Sequence, residues 1–105
     1  MIAGANLVEL DAVLEGREML RYSPAGIPIL GATLSHGSSQ TEAGAKREVS
    51  IEIAAAFAGR IAESADRLGL GSKLRVRGFA AEIVWLHPIR RLPGLIICRS
   101  PTFGF

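Results

Sequence analysis

The sequence predicts an all-β fold, a small five-stranded barrel with one short helix between the third and fourth strands. Three observations carry this. Apolar and polar residues alternate, the period of half-buried strands, in the segments that begin at Asn6, Ile29, Arg47 and Lys73. Helical spacing occurs in one place, between Gly59 and Gly69. Glycine is frequent, 12 of 105 residues, and much of it falls between these segments, where tight turns need it.

The first strand spans Asn6–Leu14, with Val8, Leu10, Ala12 and Leu14 on one face. Tyr22–Ser23–Pro24–Ala25–Gly26 is turn chemistry, because Pro fixes φ and Gly admits positive φ. Pro28 opens the second strand, Ile29–His36, which aligns Leu30, Ala32, Leu34 and His36. Gly37–Lys46 is polar and is expected to be a long loop. Alternation returns from Arg47 to about Phe57, with Val49, Ile51 and Ile53 inward and Ser50 and Glu52 outward. Ile61, Ala65 and Leu68 then follow helical spacing, and Gly69 and Gly71 end the helix.

The fourth strand is Lys73–Phe79, with Leu74 and Val76 opposite Lys73, Arg75 and Arg77. Gly78 marks a bulge or a bend, and Ala80–Leu86 extends the strand. His87–Pro88 and Pro93–Gly94 bracket a basic loop tip, Ile89–Arg90–Arg91–Leu92. Leu95–Cys98 is a short fifth strand, and residues from about Ser100 form an irregular tail. Three strands, a helix and two strands within one 105-residue domain is the element order of the OB-fold Greek-key barrel.

Charge is distributed unevenly. Residues 1–66 hold five Lys/Arg and nine Asp/Glu, whereas residues 67–105 hold seven Lys/Arg and only Glu82. The net +2 therefore hides a basic final third, which fits either a polyanionic partner or a solvated face. No apolar run is long enough to span a membrane, and no signal-like N-terminus is present, so a cytoplasmic protein is expected. One cysteine, Cys98, excludes an internal disulfide and a Cys-rich zinc site, and its apolar run reads as a buried thiol. His36 and His87 are the only histidines and belong to no catalytic or metal motif. His36 reads as a structural or surface residue. No enzyme activity, cofactor or metal is expected.

Binding is the remaining class. OB barrels hold single strands in a basic groove with aromatic platforms. Phe57 and Phe79 read as core, whereas Tyr22 and Trp85 lie near loops and are open to either role.

Specific residues also resemble a family. Asn6–Leu7–Val8–Glu9–Leu10, Arg21–Tyr22–Ser23–Pro24–Ala25–Gly26–Ile27–Pro28, Leu34–Ser35–His36, Gln40–Thr41–Glu42–Ala43–Gly44 and Leu74–Arg75–Val76–Arg77–Gly78–Phe79 occur in that order. The series, over roughly residues 5–80, resembles the PriB family (primosomal replication protein N, β-proteobacterial form) among the single-stranded-DNA-binding-protein-like OB-folds. The resemblance implies a non-catalytic homodimer that binds single-stranded DNA at stalled forks. It also implies contact with the primosomal helicase PriA and helicase reloading through DnaT where that partner exists. Gly37, Ala45 and Ser50 stand where well-known members present an arginine and two aromatics to DNA.

The expected binding face comprises Arg21, Lys46, Arg47, Arg90 and Arg91, with Lys73, Arg75 and Trp85 as secondary members. Arg21, Lys46 and Arg47 match basic positions of the family. Arg90 and Arg91 rest on local sequence, two cations far from any carboxylate along the chain. Binding is expected to be phosphate-led and without sequence preference. A protein-interaction module of the replication machinery with residual DNA binding is the alternative, and a structural or RNA-binding OB domain is a third.

Overall fold

The computed structural model describes residues 4–86 and 89–103, with side chains for 4–85 and 89–97. The order is β1 (Val8–Arg17), β2 (Arg21–Tyr22), β3 (Pro28–Glu42), β4 (Ala45–Ala58), α1 (Arg60–Asp66), β5 (Lys73–Leu86) and β6 (Ile89–Phe103). The sheet runs β1-β5-β6-β4-β3-β2, and a further β1–β3 pairing closes it into a barrel. Four of the five contacts around the ring are antiparallel, and β4–β6, from Ala54↔Gly94 to Phe57↔Ile97, is parallel. This is the OB-fold expected from the element order, with the two-residue β2 added at its edge.

The core follows the alternation. Leu14, Leu30, Leu34, Phe57, Leu74, Val76 and Ile97 are fully buried. Helix α1 seals one end by burying Ile61, Ala62 and Ala65. Its N-terminus is set by Gly59, whose φ of 87° turns the chain out of β4 while its N–H donates to the Pro28 carbonyl at 2.9 Å. Among the described residues no helix is long and apolar enough to cross a membrane.

Gly78 is the tightest crossing in the barrel. The β5–β6 register shifts on either side of Arg77, as expected of a bulge. A Cβ on Gly78 would overlap the Ile96 carbonyl oxygen and lie 2.8 Å from its carbon. Phe79 follows Lys73, Arg75 and Arg77 on the outer side of the alternation, so it is 39% exposed rather than part of the core.

Two expected loops and the expected irregular tail are strand instead. Gly37–Lys46 is not a loop: β3 and β4 continue to a two-residue turn at Ala43–Gly44, both at positive φ (50° and 77°). This hairpin extends past the barrel, so Ile51, expected to face inward, is 46% exposed. The basic segment 89–92 is not a loop tip either. It opens β6 and pairs with β5, Trp85 opposite Arg90 and Val84 opposite Arg91. Pro93 sits within β6, immediately before the stretch that joins β4, where the strand still has a free edge and tolerates a residue without an N–H. The expected irregular tail is likewise strand as far as Phe103, with Thr102 opposite Arg75. The bracketing pair His87–Pro88, the side chain of Cys98 and Phe105 lie outside the described residues.

Candidate nucleic-acid interface

Directly opposed residues of neighbouring strands share a face, as do alternate residues along one strand. On β3 and β4 the outer face therefore carries Ile29, Gly31 and Thr33 beside Ala58, Ala56 and Ala54, followed by Glu52. These side chains are mostly small, so the surface is a shallow trough, crossed at its middle by the Glu18 side chain, which lies over Gly31. The first part of the β5–β6 hairpin rises along one side of it. Its inner face carries Ile83, Trp85, Arg90 and Leu92, and Ile83 packs over Gly94 of β6, where that strand meets Ala54 of β4.

The two walls enclose a cleft of about 270 Å³ lined by Thr33, Glu52, Ile53, Ala54, Trp85, Arg90 and Leu92. Trp85 is half-buried in it. Among the described residues neither Arg90 nor Glu52 has an ion-pair or hydrogen-bond partner, although both line the same cleft. An aromatic ring, a cation and an acceptor thus face one space. OB barrels take oligonucleotides on this side, across the second and third barrel strands and the hairpin of the last two.

The remaining candidates divide by location. Arg21 on β2 lies opposite Ile29, so it shares the trough's outer face at the end remote from the cleft, about 13 Å along the strands at ~3.3 Å per residue. Lys46 and Arg47 stand at the tip of the β3–β4 hairpin, on its opposite faces, and Arg47 is paired with Glu42. Arg91 faces away from the cleft and lies 3.6 Å from Glu82, so the isolation from carboxylates seen along the sequence does not hold in space.

Lys73 and Arg75 belong to a different wall, β1–β5. There the charge has internal partners. Arg75 donates to Asp11 through Nε at 2.6 Å and through a second nitrogen at 3.2 Å, and Arg77 donates to Glu9 at 2.7 Å. The hydrogen bond from Arg75 holds the Asp11 carboxyl below its ordinary range, and the same bond raises the Arg75 guanidinium above its own. His36 anchors the root of the β3–β4 hairpin beside this wall, with Nδ1 2.6 Å from the Asp11 carbonyl and Nε2 2.8 Å from the Ser38 hydroxyl. Its role as a structural histidine accords with these contacts.

The structure therefore joins Arg90 and Trp85 in one cleft, extends that face to Arg21, and disperses Lys46, Arg47, Arg91, Lys73 and Arg75. Sequence reasoning missed Thr33 and Glu52. Glu52 was legible as an outward residue of the third barrel strand, and that strand's place in an OB ligand face was the available signal. Among the described residues no group of His, Cys, Asp or Glu is arranged to hold a metal ion.

Comparison with known proteins agrees with this architecture. Residues 6–85 match the model of a family described as another single-strand binding protein family. The replication restart protein PriB of Neisseria gonorrhoeae is 43% identical over 77 residues, 73% of this chain and 76% of the relative. PriB of Bordetella pertussis is 37% identical over 107 residues, covering 94% of this chain and 99% of that one. The solved structure of PriB from Ralstonia solanacearum superposes with a TM-score of 0.81 at 32% identity, covering 97% of this chain and all of that one. With the barrel and its sequence both matched over most of their length, the chain belongs to the PriB family of replication restart proteins, within the single-strand-binding OB-fold group.

Proposed function

We propose that this protein is a non-catalytic single-stranded-DNA-binding accessory factor of replication restart, acting as a single cytoplasmic OB domain. The cleft carries the reading: a half-buried tryptophan and a guanidinium without a partner among the described residues flank the outer face of β3–β4, on the side where OB barrels hold oligonucleotides. A strand lying along the trough meets Arg90 and Trp85 at one end and Arg21 at the other, and the Glu18 side chain over Gly31 swings aside to admit it. Lys46 at the hairpin tip and Lys73 on the adjacent wall add charge around this path. Contact with the primosomal helicase PriA, with DnaT where that partner exists, and homodimer formation belong to the same reading and rest on family membership.

One observation favours a second reading, a protein-interaction module with residual DNA binding. Arg47, Arg75 and Arg91, three of the seven cations expected at the interface, are paired with carboxylates of the same chain. Fluorescence anisotropy with a labelled single-stranded oligonucleotide over a salt series separates the two. Phosphate-led binding gives an affinity that falls steeply with salt, by ~0.7 log units per log unit of salt for each phosphate neutralised. No response at low salt refutes the proposal and leaves the protein-interaction reading. A charge reversal at Glu63, exposed on α1, is the control and leaves the slope unchanged.

A further inference from the structure

The cleft holds more than a phosphate contact requires. Arg90 answers a phosphate and Trp85 a base ring, but Glu52 repels the first and is superfluous to the second. It nevertheless lines the cleft with both and has no partner among the described residues, not even Arg90 beside it. Its position is imposed by the sheet. Glu52 is fixed opposite Ser35 on β4, two residues before Ala54, and alternation turns it to the trough. Thr33 and Ala54, paired across β3 and β4, leave the floor free of bulk.

A carboxylate is an acceptor with no proton to donate. In a cleft that admits a flat ring against Trp85, it complements ring edges that carry N–H₂ and opposes edges that carry a carbonyl. The exocyclic amine of cytosine is such a donor, and thymine presents a carbonyl at the corresponding place. We infer that the cleft is a one-base subsite that selects a nucleobase bearing an exocyclic amine, with Trp85 stacking on the ring, Glu52 accepting from the amine and Arg90 holding the neighbouring phosphate. This rests on the single-stranded-DNA reading above and adds to it a preference that phosphate contacts cannot supply.

The pyrimidine pair isolates the edge, since cytosine and thymine have rings of similar size. Oligo-dC and oligo-dT of roughly 16 nucleotides, near the upper site size of one OB fold, are titrated separately into wild type and Glu52→Gln. Anisotropy gives affinity. Quenching of Trp85, the chain's single tryptophan, reports occupancy of the cleft.

Wild type is expected to bind oligo-dC about fivefold more tightly than oligo-dT, the scale of one charge-assisted hydrogen bond partly exposed to water. Both ligands quench Trp85. In Glu52→Gln the ratio falls toward one, because a glutamine amide both donates and accepts, and oligo-dT gains affinity in absolute terms. Equal wild-type affinities, a ratio unchanged in Glu52→Gln, or binding without quenching each overturn the base preference while leaving single-strand binding intact. Failure of both oligomers to bind at low salt overturns the underlying reading and the preference with it. Glu52 is exposed and its side chain has no hydrogen-bond or ion-pair partner among the described residues, so the variant keeps the barrel.

Discussion

Gly78 is the residue whose replacement by alanine most directly tests how the barrel is closed. Ordinary contacts of a Cβ lie at 3.4–4 Å. At Gly78 the added carbon overlaps the Ile96 carbonyl oxygen, with the Ile96 carbon at 2.8 Å and the Ile97 Cα at 3.0 Å. Every one of these atoms is backbone, so no rotamer change relieves the overlap, and β5 must part from β6. Overpacking that side chains can absorb costs about 1–3 kcal/mol, and a backbone obstacle belongs at the top of that range, about 3 kcal/mol. At ~4–8 °C per kcal/mol for a domain of this size, the melting temperature falls by roughly 12–24 °C. Circular dichroism melts of Gly78→Ala and of Gly16→Ala measure this. Gly16 has no atom within 4 Å of an added Cβ and is the matched control. If the two variants melt within about 5 °C of each other, the close crossing is not what constrains β5 against β6. The same measurement bears on the interface, because β5 continues from Gly78 to Trp85.

Arg90→Ala is expected to make the log K against log salt slope shallower by up to ~0.7, whereas Arg91→Ala, already paired with Glu82, changes it little. Anisotropy over a salt series reads both, and equal effects refute the distinction between the two faces of β6. Asp11 has a folded pKa below its unfolded value, so its contribution to stability is complete above about pH 4 and is lost as pH falls through the folded value. The melting temperature of wild type should therefore drop on acidification below that point more steeply than that of Asp11→Asn, and parallel curves would count against the pairing with Arg75. Ala43, held at a φ of 50° in the hairpin turn, is a poor residue for that conformation. Ala43→Asn should slow amide exchange in the β3–β4 hairpin about fivefold, corresponding to ~1 kcal/mol, and unchanged exchange refutes the turn assignment. A light-scattering mass equal to one chain at micromolar concentration refutes the homodimer.

The barrel was legible where one face of a strand is dry. Val8 to Leu14 and Leu74 to Val76 display the two-residue period because each inward position enters the same core. The two hairpins that leave the barrel have water on both sides over much of their length, and there the period vanishes. Gly37–Lys46 is polar throughout for that reason, and the Ala43–Gly44 turn lacks the Asn-Gly or Asp-Gly pair that would have announced it. Pro93 read as a boundary because a proline in mid-strand is rare, and the free edge that permits it exists only in three dimensions. For the candidate site, charge along the chain pointed to Arg90, which lines the cleft. Charge could not reveal that Arg91 meets Glu82, that Arg75 meets Asp11, or that Glu52 shares a cleft with Trp85, since each depends on the register between strands.

The β1–β5 register sets a schedule for synthesis. Ala12 pairs with Leu74, so the first barrel strand leaves the ribosome long before its antiparallel neighbour exists. At ~5–20 residues per second the interval is roughly 3–12 seconds, and the parallel contact between β4 and β6 comes later still. Pairings this distant in sequence form slowly even in a complete chain. Until then the apolar face of β1 has only the elements from β2 to α1 to pack against, as each emerges. The nascent protein therefore passes through a half-barrel with an open strand edge, the form in which it is most vulnerable to mispairing with a second chain.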